Sequence, residues 1–334
     1  MEPDNTSIFP LLLSIILSIS IALFAYFLLI HFVVDTDLQT SHREIALLDF
    51  YQQPHDKDVV ILGSSYVTEG IDTYIVEDVL REKGSNRSVY NLGMQAETPL
   101  SRLPELENLI ASRPRMVVIG LGYRDLANRT DIYEDRFALI SQRIHLDEQY
   151  RPLYNDTQVQ FLTQSPLEHL WYERKFIGGA VFHLFRNGVL KDKSSSREAL
   201  YDTNFKDPWL LTTNLTEEIK IEKAQEDQSR DQIDADLNPQ KMALLSTVNR
   251  LRQNDISVII ISMPMNSYYS DIIKESSRQN FSAFLNDTGI PWYDYEREYP
   301  SAFFIDEGHM NSAGRTDFSS KVAAIIADNV KKGV

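Results

Sequence analysis

The run Asp58-Val59-Val60-Ile61-Leu62-Gly63-Ser64-Ser65-Tyr66 constrains this chain more than any other stretch. Four consecutive aliphatics, bounded by charge on one side and glycine on the other, suit a strand buried on both faces of a parallel sheet. Such a strand runs out into the Gly-Ser-Ser turn and leaves Ser65 just beyond its carboxyl end. Open α/β sheets bind their ligands along that edge. Two readings of the turn stand side by side. One is a serine-rich turn leading into a helix; the other is a loop presenting a nucleophile.

The segments that follow fit the same kind of sheet. Residues 72–83 carry apolar side chains at helical spacing (Ile75, Val76, Val79, Leu80). Ser88 to Gly93 reads as a second short strand ending in glycine. Thr98-Pro99 reads as an N-cap followed by proline at the first helical position, opening a helix through Leu103, Leu106 and Ile110. Arg115 to Gly122 is the clearest strand. The order β-α-β-α-β calls for a parallel sheet with right-handed crossovers.

Regularity returns at 241–253, a helix by the spacing of Met242, Leu245, Val248 and Leu251. Ile256 to Ser262 is a buried strand, Ile272 to Leu285 a helix and Ile290 to Tyr293 a short last strand. Phe303 to His309 then leads into a terminal helix carrying Phe318, Val322, Ile325 and Ile326. The α/β domain is expected to span 58–334. Between about 130 and 240 the pattern breaks into aromatic clusters (Phe161, Trp171, Tyr172, Phe176, Phe182, Phe185). That stretch reads as an inserted, mostly helical region able to cover a sheet edge or form a lid. Its tail, Glu217 to Asp236, carries eight acidic and three basic side chains without EF-hand spacing, and reads as a solvated helix face.

Ahead of the domain, Ile8 to Val34 holds no Asp, Glu, Lys or Arg. A helix of that length covers about 40 Å, enough to cross a bilayer core of roughly 30 Å with tilt. The preceding Met1-Glu2-Pro3-Asp4 is not basic and no small-residue cleavage site follows, so 8–34 reads as a retained single-pass anchor rather than a signal peptide. Residues 35–57 read as a polar linker. Arg43 and Lys57 after the span favour a cytoplasmic domain. Against them stand seven N-x-S/T sequons, at Asn5, Asn86, Asn128, Asn155, Asn214, Asn280 and Asn286, which favour a glycosylated, extracytoplasmic surface. The six beyond the span outweigh the two basic residues.

Composition removes several classes of function. A net charge of -15 argues against nucleic acid or anionic headgroups as partners. With no cysteine, disulfides, thiolate catalysis and Cys-ligated zinc are excluded. The P-loop, dinucleotide-binding and H-E-x-x-H motifs are absent, and Ser65 does not sit in G-x-S-x-G. Asp35-Thr36-Asp37 and Asp234-Ala235-Asp236 read as solvated linker rather than metal pairs.

Four loops are thus expected at one sheet edge, carrying Ser65, Gly93, Gly122-Tyr123-Arg124-Asp125 and Asp306-x-x-His309. A hydroxyl nucleophile needs a base within hydrogen-bond reach, and that imidazole needs a partner to fix its tautomer. Ser65, His309 and Asp306 supply those roles from opposite ends of the chain. Backbone N–H groups at Ser65 and Gly93 suit a developing oxyanion. Taken alone, D-x-x-H before a helix also reads as a cap or a solvent-facing histidine. The order of all four loops is what points to a site.

In those residues the chain resembles the SGNH (GDSL-like) hydrolase superfamily, over about 58–125 and 241–331. Gly63-Ser64-Ser65 stands where the family has Gly-Asp-Ser. Asn91-Leu92-Gly93 looks like its second block and Gly122-Tyr123-Arg124-Asp125 like its third, with Arg124 in place of the oxyanion Asn. Asp306 and His309 match its D-x-x-H, and Asn311 is the expected N-cap of the last helix. The Gly-Ser-Ser variant and the anchor look most like the accessory proteins of membrane-bound O-acyltransferases, such as those of teichoic acid D-alanylation and of alginate or peptidoglycan O-acetylation. The resemblance implies a flavodoxin-like three-layer fold with a five-stranded parallel sheet, and a Ser65-His309-Asp306 triad. Gly93, Arg124 and Asn91 would lie around the oxyanion and the substrate. It implies no metal or organic cofactor. The implied reaction carries an acyl group on Ser65 from an acylated donor to a glycan hydroxyl or to water, with a multi-pass O-acyltransferase as partner. Two other readings remain: a non-catalytic glycan-binding or scaffolding domain, and a free-standing esterase.

Overall fold

The structure is a computed structural model of the chain. It describes residues 53–94, 96–128, 147–163 and 232–332, with scattered positions within 13–25, 47–51 and 216–225. At its centre is β1 (Val59–Leu62), followed by helices α1 (Ser65–Gly70) and α2 (Thr73–Glu82), then β2 (Val89–Asn91). Helix α3 (Pro99–Arg102) runs through a 3-10 turn (Leu103–Glu105) into α4 (Leu106–Ser112) and β3 (Met116–Leu121). The short α5 (Tyr123–Leu126) comes next, and α6 (Asp156–Thr163) lies within the insertion. The second half comprises α7 (Pro239–Gln253), β4 (Ser257–Ser262), α8 (Ser267–Ser270), α9 (Glu275–Asp287), β5 (Trp292–Asp294) and α10 (Ser312–Lys332).

All five strands are parallel, in the order β2-β1-β3-β4-β5. Val59 sits opposite Val89 on one side and Met116 on the other. The aliphatic run predicted to be buried on both faces is so: Val59, Val60 and Ile61 have no exposed surface. Side chains of that size each contribute about 1.5–3 kcal/mol by leaving water. Helix α10 packs on α2 and α1, while α7 packs on α3, α5 and β4. The chain leaves β1 towards β2 on one side and returns to β3 on the other, so a topological switch point opens between the carboxyl ends of β1 and β3. This is the flavodoxin-like order.

Caps fix where the helices begin. Thr98 accepts from Ser101 N and Ser101 Oγ accepts from Thr98 N, a capping box with Pro99 at the first position. Asn311 Oδ1 accepts from the N–H groups of Ala313 and Gly314, both at 3.1 Å, as an N-cap of α10 should. On α7 the buried stripe is Ala243, Leu244, Thr247, Val248 and Leu251, whereas Met242 is exposed. Of the expected stripe Val248 and Leu251 are buried and Leu245 is half-buried, whereas Leu244 takes the place of Met242. Asn238 caps the helix through Lys241 N.

Residues 35–57 are not polar linker throughout. Leu47 and Phe50 are buried, Phe50 stacks on His55 at 3.8 Å, and Tyr51 donates to Glu105 at 2.6 Å. His55 is itself held between Asp58 and the Phe50 carbonyl. The packed domain therefore begins before residue 58, because the Phe50 and His55 rings pack against Tyr90 of β2. Within the insertion, Tyr154 donates to the Leu100 carbonyl at 2.9 Å and ties the segment to α3. Trp171, Tyr172, Phe176, Phe182 and Phe185 lie outside the described residues, as does most of the expected anchor. Among the described residues no helix is long and apolar enough to cross a membrane. Of the sequons, Asn86, Asn128 and Asn286 are exposed, whereas the Asn280 amide donates to the Ile233 carbonyl.

Candidate active site

The nucleophile turn is built around glycine. Gly63 adopts φ +144°, a region that L side chains rarely enter, and a Cβ there would lie 2.5 Å from the Gly120 carbonyl. Two neighbouring strand ends approach that closely only without a side chain between them. Ser64 precedes α1 in extended conformation, and Ser65 is the first helical residue. Ser64 lines a cavity of about 20 Å³ together with Leu121, Leu244 and Thr247.

Ser65 and His309 meet across the sheet edge. His309 Nε2 lies 2.9 Å from Ser65 Oγ, and His309 Nδ1 lies 2.7 Å from Asp306 Oδ2. Asp306 is oriented in turn by accepting from the N–H groups of Gly308 and His309 on its other oxygen. Burial would by itself lift the Asp306 carboxyl, but His309 and those two amides hold it below its ordinary value. For His309 burial acts downward, yet the Asp306 carboxylate, with smaller contributions from Glu69 and Glu307, carries the imidazole up to about 9. The raised value keeps this histidine protonated at neutral pH, with three carboxylates around one positive charge.

Tyr66 is the wall of the site. Its ring is fully buried, stands edge-on to His309 at 4.9 Å and carries the Arg124 guanidinium over its face at 5.5 Å. Gly308 is required beneath it, since a Cβ at that position would lie 2.5 Å from the ring. Burial, Glu307 and Asp306 push the Tyr66 hydroxyl above its ordinary value, only partly offset by Arg124. Tyr66 thus stays a neutral spacer that sets the imidazole plane. Sequence reasoning passed over it, although its place directly after Ser65 was the available signal.

The residues expected around the oxyanion are arranged differently from one another. Asn91 is a buried brace: its amide donates to the Val67 and Ile71 carbonyls, and its Oδ1 accepts from Gly93 N at 3.0 Å. Asn91 therefore braces β2 against the middle and the C-terminal end of α1. The Gly93 N–H, expected to face an oxyanion, is directed at that Oδ1 in this resting state. Arg124 is half-buried on the Tyr66 face. Asp125 Oδ2 accepts from Gly122 N at 2.7 Å and closes the third loop. Asp306, Glu307 and His309 bring three ligand-type atoms within 4.8 Å. Asp306 Oδ2 and His309 Nδ1 are hydrogen-bonded to each other.

Fold and site together define a doubly wound α/β domain with a hydrogen-bonded serine–histidine–aspartate chain at its switch point. No family model and no curated protein matches the chain. Among solved structures it is similar to a GDSL-like lipase from Bacteroides thetaiotaomicron, at 12% identity over 87% of this chain and 98% of that one, with a TM-score of 0.38. It is also similar to a catalytic mutant of an acetylxylan esterase from Geobacillus stearothermophilus, at 12% identity over 82% and 94% with a TM-score of 0.41. A further acetyl xylan esterase is similar at 10% identity over 80% and 99%, with a TM-score of 0.37.

Proposed function

We propose that the chain is a serine-dependent acyl-transfer enzyme, acting as an esterase or O-acyltransferase. The observation that carries this reading is the unbroken chain from Ser65 Oγ through His309 to Asp306. In the neutral form of His309, Nε2 takes the Ser65 proton as Oγ attacks the acyl carbonyl, and Asp306 stabilises the resulting imidazolium. The tetrahedral intermediate then collapses: the carbon–oxygen bond to the leaving group breaks and His309 returns the proton to it. An acyl ester on Ser65 remains. An incoming hydroxyl, from a glycan or from water, gives its proton to His309 as it attacks the ester; the bond from the acyl carbon to Ser65 Oγ then breaks and His309 returns the proton to Oγ.

A cell-surface glycan as acceptor and a multi-pass O-acyltransferase as partner are the finer parts of this proposal, supported by the SGNH-like loops and the apolar run at 8–34. That run would tether the domain at the extracytoplasmic face, in keeping with the exposed sequons. Protease digestion of intact cells tests the topology, and a fully protected domain contradicts it. The alternative is a non-catalytic binding domain, and the donation of Gly93 N–H to Asn91 is the observation in its favour. Turnover of p-nitrophenyl acetate separates the two readings. The wild-type chain should hydrolyse it, and Ser65→Ala should not. Equal turnover by both proteins would remove Ser65 from the chemistry.

A further inference from the structure

One buried ionic cluster has no part in the proton relay. Arg102 is 3% exposed and lies between two carboxylates that are equally buried, those of Glu97 and Glu105. Its Nε donates to Glu97 Oε1 at 2.5 Å and its Nη1 to Glu105, with the Tyr51 hydroxyl 3.3 Å away. Burial alone would lower the Arg102 pKa, but the two carboxylates hold it well above its ordinary value. Taking one cation and two anions out of water is expensive, and apolar replacements for such clusters are often neutral or stabilising. Stability alone is therefore a weak account of this cluster.

Arg102 Nη2 reaches Glu97 Oε2 and a second acceptor as well. Arg102 Nη2 donates to the Leu92 carbonyl at 2.6 Å. The same peptide unit ends in the Gly93 N–H, which is directed at Asn91 Oδ1. The Leu92–Gly93 peptide is thus held at both ends, with a cation on its oxygen. It is also pressed against the nucleophile turn. Met94 N donates to the Gly63 carbonyl at 2.9 Å, and a Cβ on Gly93 would lie 3.0 Å from that oxygen. A cation on a peptide oxygen draws density from its nitrogen and makes the N–H a stronger donor, and hydrogen bonds in series reinforce one another in a low-dielectric setting.

We propose that Arg102 is a positioning residue for acyl transfer: clamped by Glu97 and Glu105, it fixes and polarises the Leu92–Gly93 peptide so that Gly93 N–H donates to the oxyanion formed at Ser65. This rests on the serine-esterase reading above. In the resting site Asn91 Oδ1 occupies the donor, and the oxyanion, carrying full charge, shares or displaces that neutral acceptor. Since the interaction strengthens as charge develops, it acts on kcat rather than on KM.

The test compares wild type with Arg102→Lys and Glu97→Gln in the full chain, using p-nitrophenyl acetate. Arg102→Lys keeps the charge but cannot hold two carboxylates and a carbonyl in one plane. It should lower kcat about 10- to 100-fold, in the range for a weakened oxyanion donor, with KM unchanged within about twofold. Glu97→Gln keeps the volume and loosens one side of the clamp; it should lower kcat by about threefold at unchanged KM, and serves if the lysine variant does not fold. A folded variant of either kind with wild-type kcat, or with its whole loss in KM, overturns the proposal. Fluorophosphonate labelling of the wild type separates the failures. An unlabelled Ser65 defeats the esterase reading itself, whereas a labelled Ser65 with an unaffected kcat defeats only the role of Arg102.

Discussion

Ser65 Oγ and His309 Nε2 stand 2.9 Å apart although 244 positions separate them in the chain. Nothing local holds them there. The first is carried by the turn after β1 and the second by the loop before α10, and α10 packs on α1 and α2. The contact is a product of the sheet order, which brings the first and last loops of the domain to one edge. Removing its members one at a time should therefore abolish chemistry without abolishing the fold. Ser65→Ala and His309→Ala are each expected to lower ester turnover at least about 10⁴-fold, and Asp306→Asn to a similar extent. Steady-state kinetics alongside circular dichroism checks this; a folded His309→Ala variant within tenfold of wild type would place the base elsewhere.

The charge around His309 makes a distinctive pH profile. Raised to about 9, the imidazole is protonated at neutral pH and cannot accept from Ser65. Activity on a neutral ester should rise about tenfold per pH unit and level off near pH 9. Stability should run the other way. The folded pKa exceeds the ordinary 6.5, so the Asp306–His309 pair stabilises fully below about pH 6.5 and loses that contribution as pH rises towards 9. Asp306, held low, stays charged throughout that window. Thermal melts of wild type and His309→Gln should converge between pH 6 and pH 10, and a constant difference would show that the pair is not titrating.

Gly308 is predicted to be as sensitive as a triad member while touching no substrate. Alanine there would drive its Cβ into the fully buried Tyr66 ring, which has nowhere to retreat. Overpacking of this kind costs about 1–3 kcal/mol, and here it would tilt the ring that sets the His309 plane. Gly308→Ala should lower both Tm and kcat, and Tyr66→Leu in the same chain should restore part of the Tm. A neutral Gly308→Ala would mean that the Tyr66 wall is softer than its burial implies.

What could be read in advance follows from where each signal resides. The aliphatic runs at 59–62, 116–121 and 257–262 are local and unbroken, so their strands were legible, as were the Thr98 and Asn311 caps. The juxtaposition of Ser65, Asp306 and His309 was legible through the loop order. The face of α7 was legible only in part: Val248 and Leu251 are buried as their spacing suggested, but Met242 and Leu244 are equally apolar and it is Leu244 that is buried. Leu47, Phe50 and Tyr51 looked like linker because their partners, Tyr90, Arg102 and Glu105, lie far along the chain. The occupied Gly93 amide was hidden for a different reason. An asparagine two residues before a glycine has the same letters whether its side chain faces the substrate or its own backbone.

Arg124 is where this chain departs from the pattern it resembles, and its position over Tyr66 allows a sharp test. If the guanidinium serves the oxyanion, Arg124→Ala should lower kcat about 10²-fold at constant KM. If it holds the Tyr66 ring instead, the loss should appear in Tm and be recovered by Arg124→Lys. Kinetics and melts on the two variants distinguish these outcomes.

The central claim is that Ser65 is an activated nucleophile. Incubating the purified full chain with a fluorophosphonate at pH 9, where about half of His309 has released its proton, and mapping the adduct by peptide mass spectrometry addresses it directly. The account predicts one stoichiometric phosphonyl group, on Ser65, lost in His309→Ala. A chain that stays unlabelled beside a reactive serine esterase, or that carries the adduct on another residue, would contradict it.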